Sequence, residues 1–106
     1  MSLLRAESSD MLHELVREGV VLVDYDSMWC PPCKVLVPIL EEIGRELTGK
    51  VRMVKVDCDE LPESAAEAGV MGTPTVIVFK DGEPVDKLVG LRPKSQYIAV
   101  LERHIT

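Results

Sequence analysis

No apolar run in this chain approaches the length of a membrane span; runs such as Gly19–Val23 are far too short to cross a bilayer. Positive charge is in deficit, with 12 Lys and Arg against 18 Asp and Glu and a net charge of −6. An acidic surface repels phosphate backbones and anionic lipid, so neither nucleic acid nor a membrane surface is expected as a partner. Cysteine is scarce and odd in number, at three. A secreted disulfide scaffold carries a larger, even set, so these cysteines do not read as structural staples. The start, Met1-Ser2-Leu3-Leu4-Arg5-Ala6-Glu7, lacks the basic region and long apolar stretch of a secretory signal. A cytoplasmic location is therefore expected. Internal repeats, linkers and low-complexity tracts are absent too, and residues 1–106 read as a single domain.

What is present is a balance of 46% hydrophobic and 28% charged residues, which suits a packed core. Helical and extended patterns alternate. Leu3–Leu4 reads as a short first strand. Ser9 or Asp10 is placed to cap a helix through about Arg17, with Met11, Leu12, Leu15 and Val16 inward and Gly19 ending it. Val20–Tyr25 is nearly all apolar, as a central strand covered on both faces should be. A second helix is expected from near Cys33 to about Leu47, burying Val35, Ile39, Leu40, Ile43 and Leu47, kinked at Pro38 and stopped by Thr48-Gly49. Val51–Val56 reads as a strand and Leu61–Ala68 as a short helix. Pro74–Phe79 and Val85–Val89 form a hairpin about Asp81-Gly82. A last helix opens with Pro93 in its first turn and turns Ile98, Leu101 and Ile105 inward. This order implies an α/β fold, a mixed sheet with helices on both faces.

The chemistry concentrates in Trp29-Cys30-Pro31-Pro32-Cys33-Lys34, a segment that follows a strand and opens a helix. Backbone N–H groups and the dipole at a helix mouth favour a thiolate, and Lys34 adds positive charge. The two-residue spacer lets the sulfurs close a small ring, so the pair can cycle between dithiol and disulfide. A metal site competes with this reading, but zinc or iron–sulfur ligation needs four ligands. The remaining candidates, Cys58, His13 and His104, are scattered along the chain. No metal and no cofactor is expected. A chance pair of core cysteines is disfavoured because two prolines and a tryptophan place the pair in a turn.

These residues resemble the thioredoxin family, and the resemblance covers nearly the whole chain. Val21-Leu22-Val23-Asp24-Tyr25 is similar to the family's central strand, and Trp29 through Lys34 to its active site. Gly72-Thr73-Pro74-Thr75 resembles its cis-proline loop, Phe79-Lys80-Asp81-Gly82 its hairpin, and Val89-Gly90 the glycine lining its substrate groove. The resemblance implies a thioredoxin fold, a central mixed sheet of four to five strands flanked by four helices. It implies a protein disulfide reductase in which Cys30 attacks and Cys33 resolves the mixed disulfide. Asp24 would be the buried carboxylate, its pKa raised by desolvation, that exchanges a proton with Cys33 through water. Lys55 corresponds to a family lysine near that Asp. Trp29, Gly72, Thr73, Pro74 and Gly90 would form the docking surface. Thr73–Pro74 is expected to be cis. Partners would be protein disulfides and a thioredoxin reductase as electron donor, with the chain a monomer.

The chain departs from the family in places. Pro31 stands where many members have Gly, which removes an N–H and stiffens the turn. Asp26 and Met28 stand where an aromatic and a variable residue are common. Asp26, just past the strand end, is expected to raise the Cys30 pKa. Pro32, where strongly oxidising relatives carry His, argues against an oxidase. A thioredoxin-fold scaffold with an incidental redox pair is the alternative, but a scaffold needs neither the Cys30/Cys33 pair nor Asp24 and Thr73-Pro74. Cys58, two residues beyond the third strand, is expected at the active-site edge of the sheet and not in the core.

Overall fold

A computed structural model describes residues 3–105. Nine elements follow in order: β1 Leu3–Arg5, α1 Ser9–Val16, β2 Val20–Asp26, α2 Pro31–Glu46, β3 Val51–Asp57, α3 Pro62–Glu67, β4 Thr75–Lys80, β5 Glu83–Val89 and α4 Lys94–Ile105. The five strands form one sheet in the order β1-β3-β2-β4-β5. β1, β3 and β2 run parallel, whereas β4 and β5 pair antiparallel. The sheet is mixed and carries four helices, as expected.

β2 lies at the centre and every one of its residues is buried. Its side chains alternate between faces. Val20 and Leu22 join Leu36, Leu40 and Ile43 of α2 and Tyr97 and Leu101 of α4 in one core. Val21, Val23 and Tyr25 join Leu12 and Val16 of α1 and Ala65 of α3 in the other. Full burial of each such Leu, Ile or Val side chain contributes about 1.5–3 kcal/mol, and this double covering fixes the strand's register.

Several boundaries differ from the sequence reading. Ser8, rather than Ser9 or Asp10, caps α1, its hydroxyl accepting from the Met11 N–H at 3.1 Å. α2 starts at Pro31, not near Cys33, because two prolines at the opening of a helix lack only N–H groups that have no intrahelical partner there. Within α2, Cys33, Leu36, Leu40 and Ile43 face inward and Val35 is exposed, with Ile39 and Leu47 only half-buried. α2 runs on through Pro38. Thr48 ends it, its hydroxyl donating to the Gly44 and Arg45 carbonyls. In α4 the fully buried side chains are Tyr97 and Leu101, with Val100 close behind, while Ile98 and Ile105 are half-buried. Pro93 precedes this helix, its carbonyl accepting from the Gln96 N–H at 3.0 Å.

The hairpin turn has both central residues at positive φ, Asp81 at 50° and Gly82 at 87°. That conformation matches the strand twist. Asp81 also accepts from the Gly19 N–H through Oδ1 at 2.8 Å, which ties the hairpin to the loop before β2.

Candidate active site

The topology gathers the redox segment at one sheet edge. β2 and β3 are parallel, so their C-terminal ends meet there. β4 is antiparallel to β2 and brings its first residue, Thr75, opposite Tyr25. Val89, the last residue of β5, pairs with Thr75. Cys30, Pro74, Gly90 and Cys58 therefore all lie just beyond the same edge, where ligand sites collect in open α/β sheets.

Cys30 and Cys33 are joined in a disulfide, with Cα atoms 5.3 Å apart. Cys30 caps α2: its sulfur accepts from the Cys33 N–H at 3.3 Å, and its carbonyl accepts from the N–H groups of Cys33 and Lys34. Because Pro31 and Pro32 have no N–H, Cys33 supplies the first free amide of the helix. Cys30 is 9% exposed and Cys33 1%, so Cys30 is the more accessible residue of the pair. A cleft of about 310 Å³ opens beside them, lined by Asp26, Ser27, Met28, Cys33, Lys34, Val37 and Lys55.

Asp24 lies on the face of β2 that α2 covers, in the row formed by Val20 and Leu22. It is fully buried, and neither carboxylate oxygen has a hydrogen-bond partner among the described residues. Desolvation, then the nearby Asp26 charge, pushes its pKa up to about 8, against a smaller downward pull from Lys55.

Asp26 is not the loop residue the sequence implied. It is the last residue of β2, only 3% exposed. Its Oδ2 lies 3.2 Å from the Lys55 ammonium, while Oδ1 has no partner. Burial raises its pKa, and the charge and hydrogen bond of Lys55 pull it down. Lys55 is thus bonded to Asp26 rather than to Asp24, although it stands in register with Asp24 across β2 and β3.

The Thr73–Pro74 bond is cis, as expected. The Thr75 hydroxyl donates to the Gly72 carbonyl at 2.6 Å, and the Gly90 N–H donates to the Pro74 carbonyl at 2.8 Å. Gly90 has φ +83°, and a Cβ there would meet nothing within 4 Å, so its face is open to solvent. Trp29 is 81% exposed.

Three features went unread in the sequence. Met71, 99% exposed, sits immediately before Gly72. Ser27 donates to Asp59 Oδ2 at 2.8 Å and accepts from the Trp29 N–H, fixing the turn before Cys30. Tyr97, fully buried, accepts from the Arg92 N–H at 3.0 Å and donates to the Gly90 carbonyl at 3.3 Å, so it holds the Gly90 loop from below.

Cys58 lies one residue beyond β3, its N–H donating to the Asp26 carbonyl at 2.8 Å. It is half-buried against the α1–α3 side of the core. Burial first, and then the surrounding carboxylates, push its thiol up to about 11. Among the remaining polar candidates, His13 is exposed near Glu67, and His104 is half-buried against Asp86 at 2.6 Å.

Among the described residues no helix is long and apolar enough to cross a membrane. The thioredoxin family model matches residues 4–103. The chain is 46% identical to a thioredoxin of Staphylococcus haemolyticus over 99% of its own length and 100% of that relative's. It is 45% identical to a Staphylococcus aureus thioredoxin over the same shares. A mutant thioredoxin from Halobacterium salinarum superposes with a TM-score of 0.92 at 30% identity, covering 98% of this chain and 91% of that one. A Malassezia sympodialis thioredoxin gives 0.89 at 35% identity, covering 99% and 92%. The agreement of sequence, fold and redox pair over nearly the full length places this chain in the thioredoxin family of thiol–disulfide oxidoreductases.

Proposed function

We propose that this chain reduces protein disulfides by cycling Cys30 and Cys33, with Asp24 as the proton carrier. The observation that supports it best is the stacking of the site. The more accessible cysteine caps the mouth of α2, the second is buried in the first turn of that helix, and an unpaired carboxyl lies on the face of β2 that the helix covers. The Cys30 thiolate attacks a substrate disulfide, forming a mixed disulfide and expelling one substrate thiolate. The Cys33 thiol passes its proton, through water, to the Asp24 carboxylate. The Cys33 thiolate then attacks the Cys30 sulfur, and the second substrate thiolate leaves. Two electrons have moved to the substrate, and Cys30–Cys33 is oxidised. A thioredoxin reductase restores the dithiol.

Trp29, Gly72, Thr73, Pro74 and Gly90 form the docking surface in this reading, with the Thr73 backbone pairing to an extended substrate strand. Exposed Met71 extends that surface. Pro31, Pro32 and Lys34 set the stiffness and charge of the turn. The chain acts as a monomeric single domain, 1–106, in the cytoplasm, where a catalytic rather than structural Cys-x-x-Cys pair is at home. Asp24 and Asp26 both disfavour a nearby thiolate, which favours a reducing pair with a potential near or below about −270 mV. The scaffold alternative is not favoured, because the redox pair is intact and the matched relatives are thioredoxins.

Insulin reduction driven by dithiothreitol tests the reading. Acceleration over dithiothreitol alone, abolished in Cys30→Ser, is the expected result. No acceleration by the wild type would leave only a scaffold.

A further inference from the structure

The cleft that reaches Cys33 is walled by Asp26 and Lys55, an ion pair that the redox chemistry described above does not use. We propose that Asp26 is a positioning residue of the reaction: by holding the Lys55 ammonium at the cleft wall, it keeps that cation from pairing directly with Asp24 and keeps Asp24 a strong proton acceptor for Cys33. The proposal rests on the reading of Asp24 as proton carrier and adds what sets its strength.

The geometry leaves few alternatives. Asp24 and Lys55 are register partners on neighbouring strands, so the ammonium has a short route to Asp24. It goes instead to Asp26 Oδ2 at 3.2 Å. The charged and titratable groups around the pair come from every neighbouring element. β1 supplies Arg5, β3 supplies Lys55 and Asp57, and Cys58 follows β3. On the helix side stand Cys33 and Lys34 of α2 and Tyr97 of α4. Most are committed elsewhere. Arg5 pairs with Glu60, Asp57 Oδ1 accepts from the Asp59 N–H, and the Tyr97 hydroxyl bonds to the Gly90 loop. Lys55 is the one cation recorded on either carboxylate among the described residues. Asp26 thus acts twice on Asp24, as a buried like charge and as the group that occupies Lys55. Both effects disfavour ionisation of Asp24.

The test is the titration of the Asp24 carboxyl in the oxidised protein, followed by carbon-13 NMR with Asp24→Asn identifying the resonance. In Asp26→Asn the like charge is gone and Lys55 is free to turn to Asp24, so the Asp24 pKa should fall by about one pH unit or more. Lys55→Met should raise the Asp24 pKa by more in that variant than it does in the wild type, where Asp26 holds the ammonium. Asp26→Glu, which keeps both the charge and the pairing, should titrate like the wild type and supplies the comparison if the Asn variant folds poorly. A wild-type titration of Asp24 in Asp26→Asn, or a displaced one in a folded Asp26→Glu, overturns the proposal. An equal rise from Lys55→Met in the wild type and in Asp26→Asn overturns the capture of Lys55. No substrate enters this measurement, so its failure leaves disulfide reduction untouched. In single turnover, the pH profile of the Cys33-dependent step should move to lower pH with Asp24 in Asp26→Asn. If Asp24 shifts and that profile does not, the proton-carrier reading is what fails.

Discussion

Lys55 faces Asp24 across the β2–β3 ladder but bonds to Asp26, two residues further along the same face of β2. The result is a buried pair of carboxyls with unequal partners. Asp26 shares its charge with an ammonium at the cleft wall, whereas Asp24 has no hydrogen-bond partner and sits higher, at a pKa of about 8. At neutral pH the inner group is therefore largely protonated. It can give a proton to Cys33 when the disulfide opens and, once ionised, take one back when the mixed disulfide must be resolved.

The unequal burial of the two cysteines supports their proposed roles. Cys33→Ser should accumulate a covalent complex with a substrate protein, detectable by mass, because the more accessible Cys30 still attacks and nothing resolves the bond. Cys30→Ser should form no such complex and reduce no insulin. Trapping by Cys30→Ser would reverse the assignment.

Tyr97→Phe should lower stability by about 1 kcal/mol, since the Arg92 N–H loses its acceptor. It also releases the Gly90 carbonyl from its hydroxyl donor. The KM for a protein disulfide should rise while the rate with a small aromatic disulfide stays near wild type, because in the proposed docking only a protein substrate reaches the Gly90 loop. Equal losses with both substrates would show that Tyr97 supports the redox turn itself.

The sheet, its central strand and the redox turn were legible because each has a local signature: an apolar run broken only by Asp24, a Cys-x-x-Cys after it, and an Asp-Gly turn. Helix phase was not. In α2 the stretch Val35-Leu36-Val37-Pro38-Ile39-Leu40 is apolar throughout, so periodicity alone cannot choose between Val35 and Leu36 as the inward residue. Packing against β2 and α4, which takes Leu36 into the core, makes that choice. Tyr97 and Ile98 in α4 present the same ambiguity. Asp26 was placed one residue past β2, because an acid after an apolar run reads as the strand's end. One more strand residue puts it under a helix, next to Lys55. Met71 has no sequence signal, since only the path of the loop around Pro74 exposes it.

Cys58 should behave as a protected thiol. It lies at the expected edge of the sheet, yet it is half-buried against the core, and its pKa is raised from 9.0 to about 11. Two pH units correspond to about a hundredfold less thiolate near pH 8 than at an ordinary cysteine. In the folded Cys30→Ser/Cys33→Ser protein, iodoacetamide should therefore modify Cys58 on the order of a hundred times more slowly than a free thiol, read by mass. Denaturant should restore the ordinary rate. Rapid alkylation of the folded protein would show an open, reactive site.

Asp24→Asn should stabilise the protein and slow its chemistry. The folded pKa of Asp24, about 8, lies above the 3.8 of an ordinary carboxyl, so between these values the folded chain keeps a proton that the unfolded chain has released. Folding is therefore favoured most below about pH 4 and loses up to about 1.4 kcal/mol for each pH unit as pH rises through this window. Asn carries no ionisable proton and removes that slope. The stability gained by Asp24→Asn, measured by urea unfolding, should thus be small at pH 4 and grow toward pH 8. A gain independent of pH would mean that packing, not ionisation, causes it. The same variant leaves Cys33 without a buried proton acceptor, and resolution of a preformed mixed disulfide should slow by about a hundredfold near neutral pH. Resolution at the wild-type rate would show that the Cys33 proton leaves directly to water in the cleft.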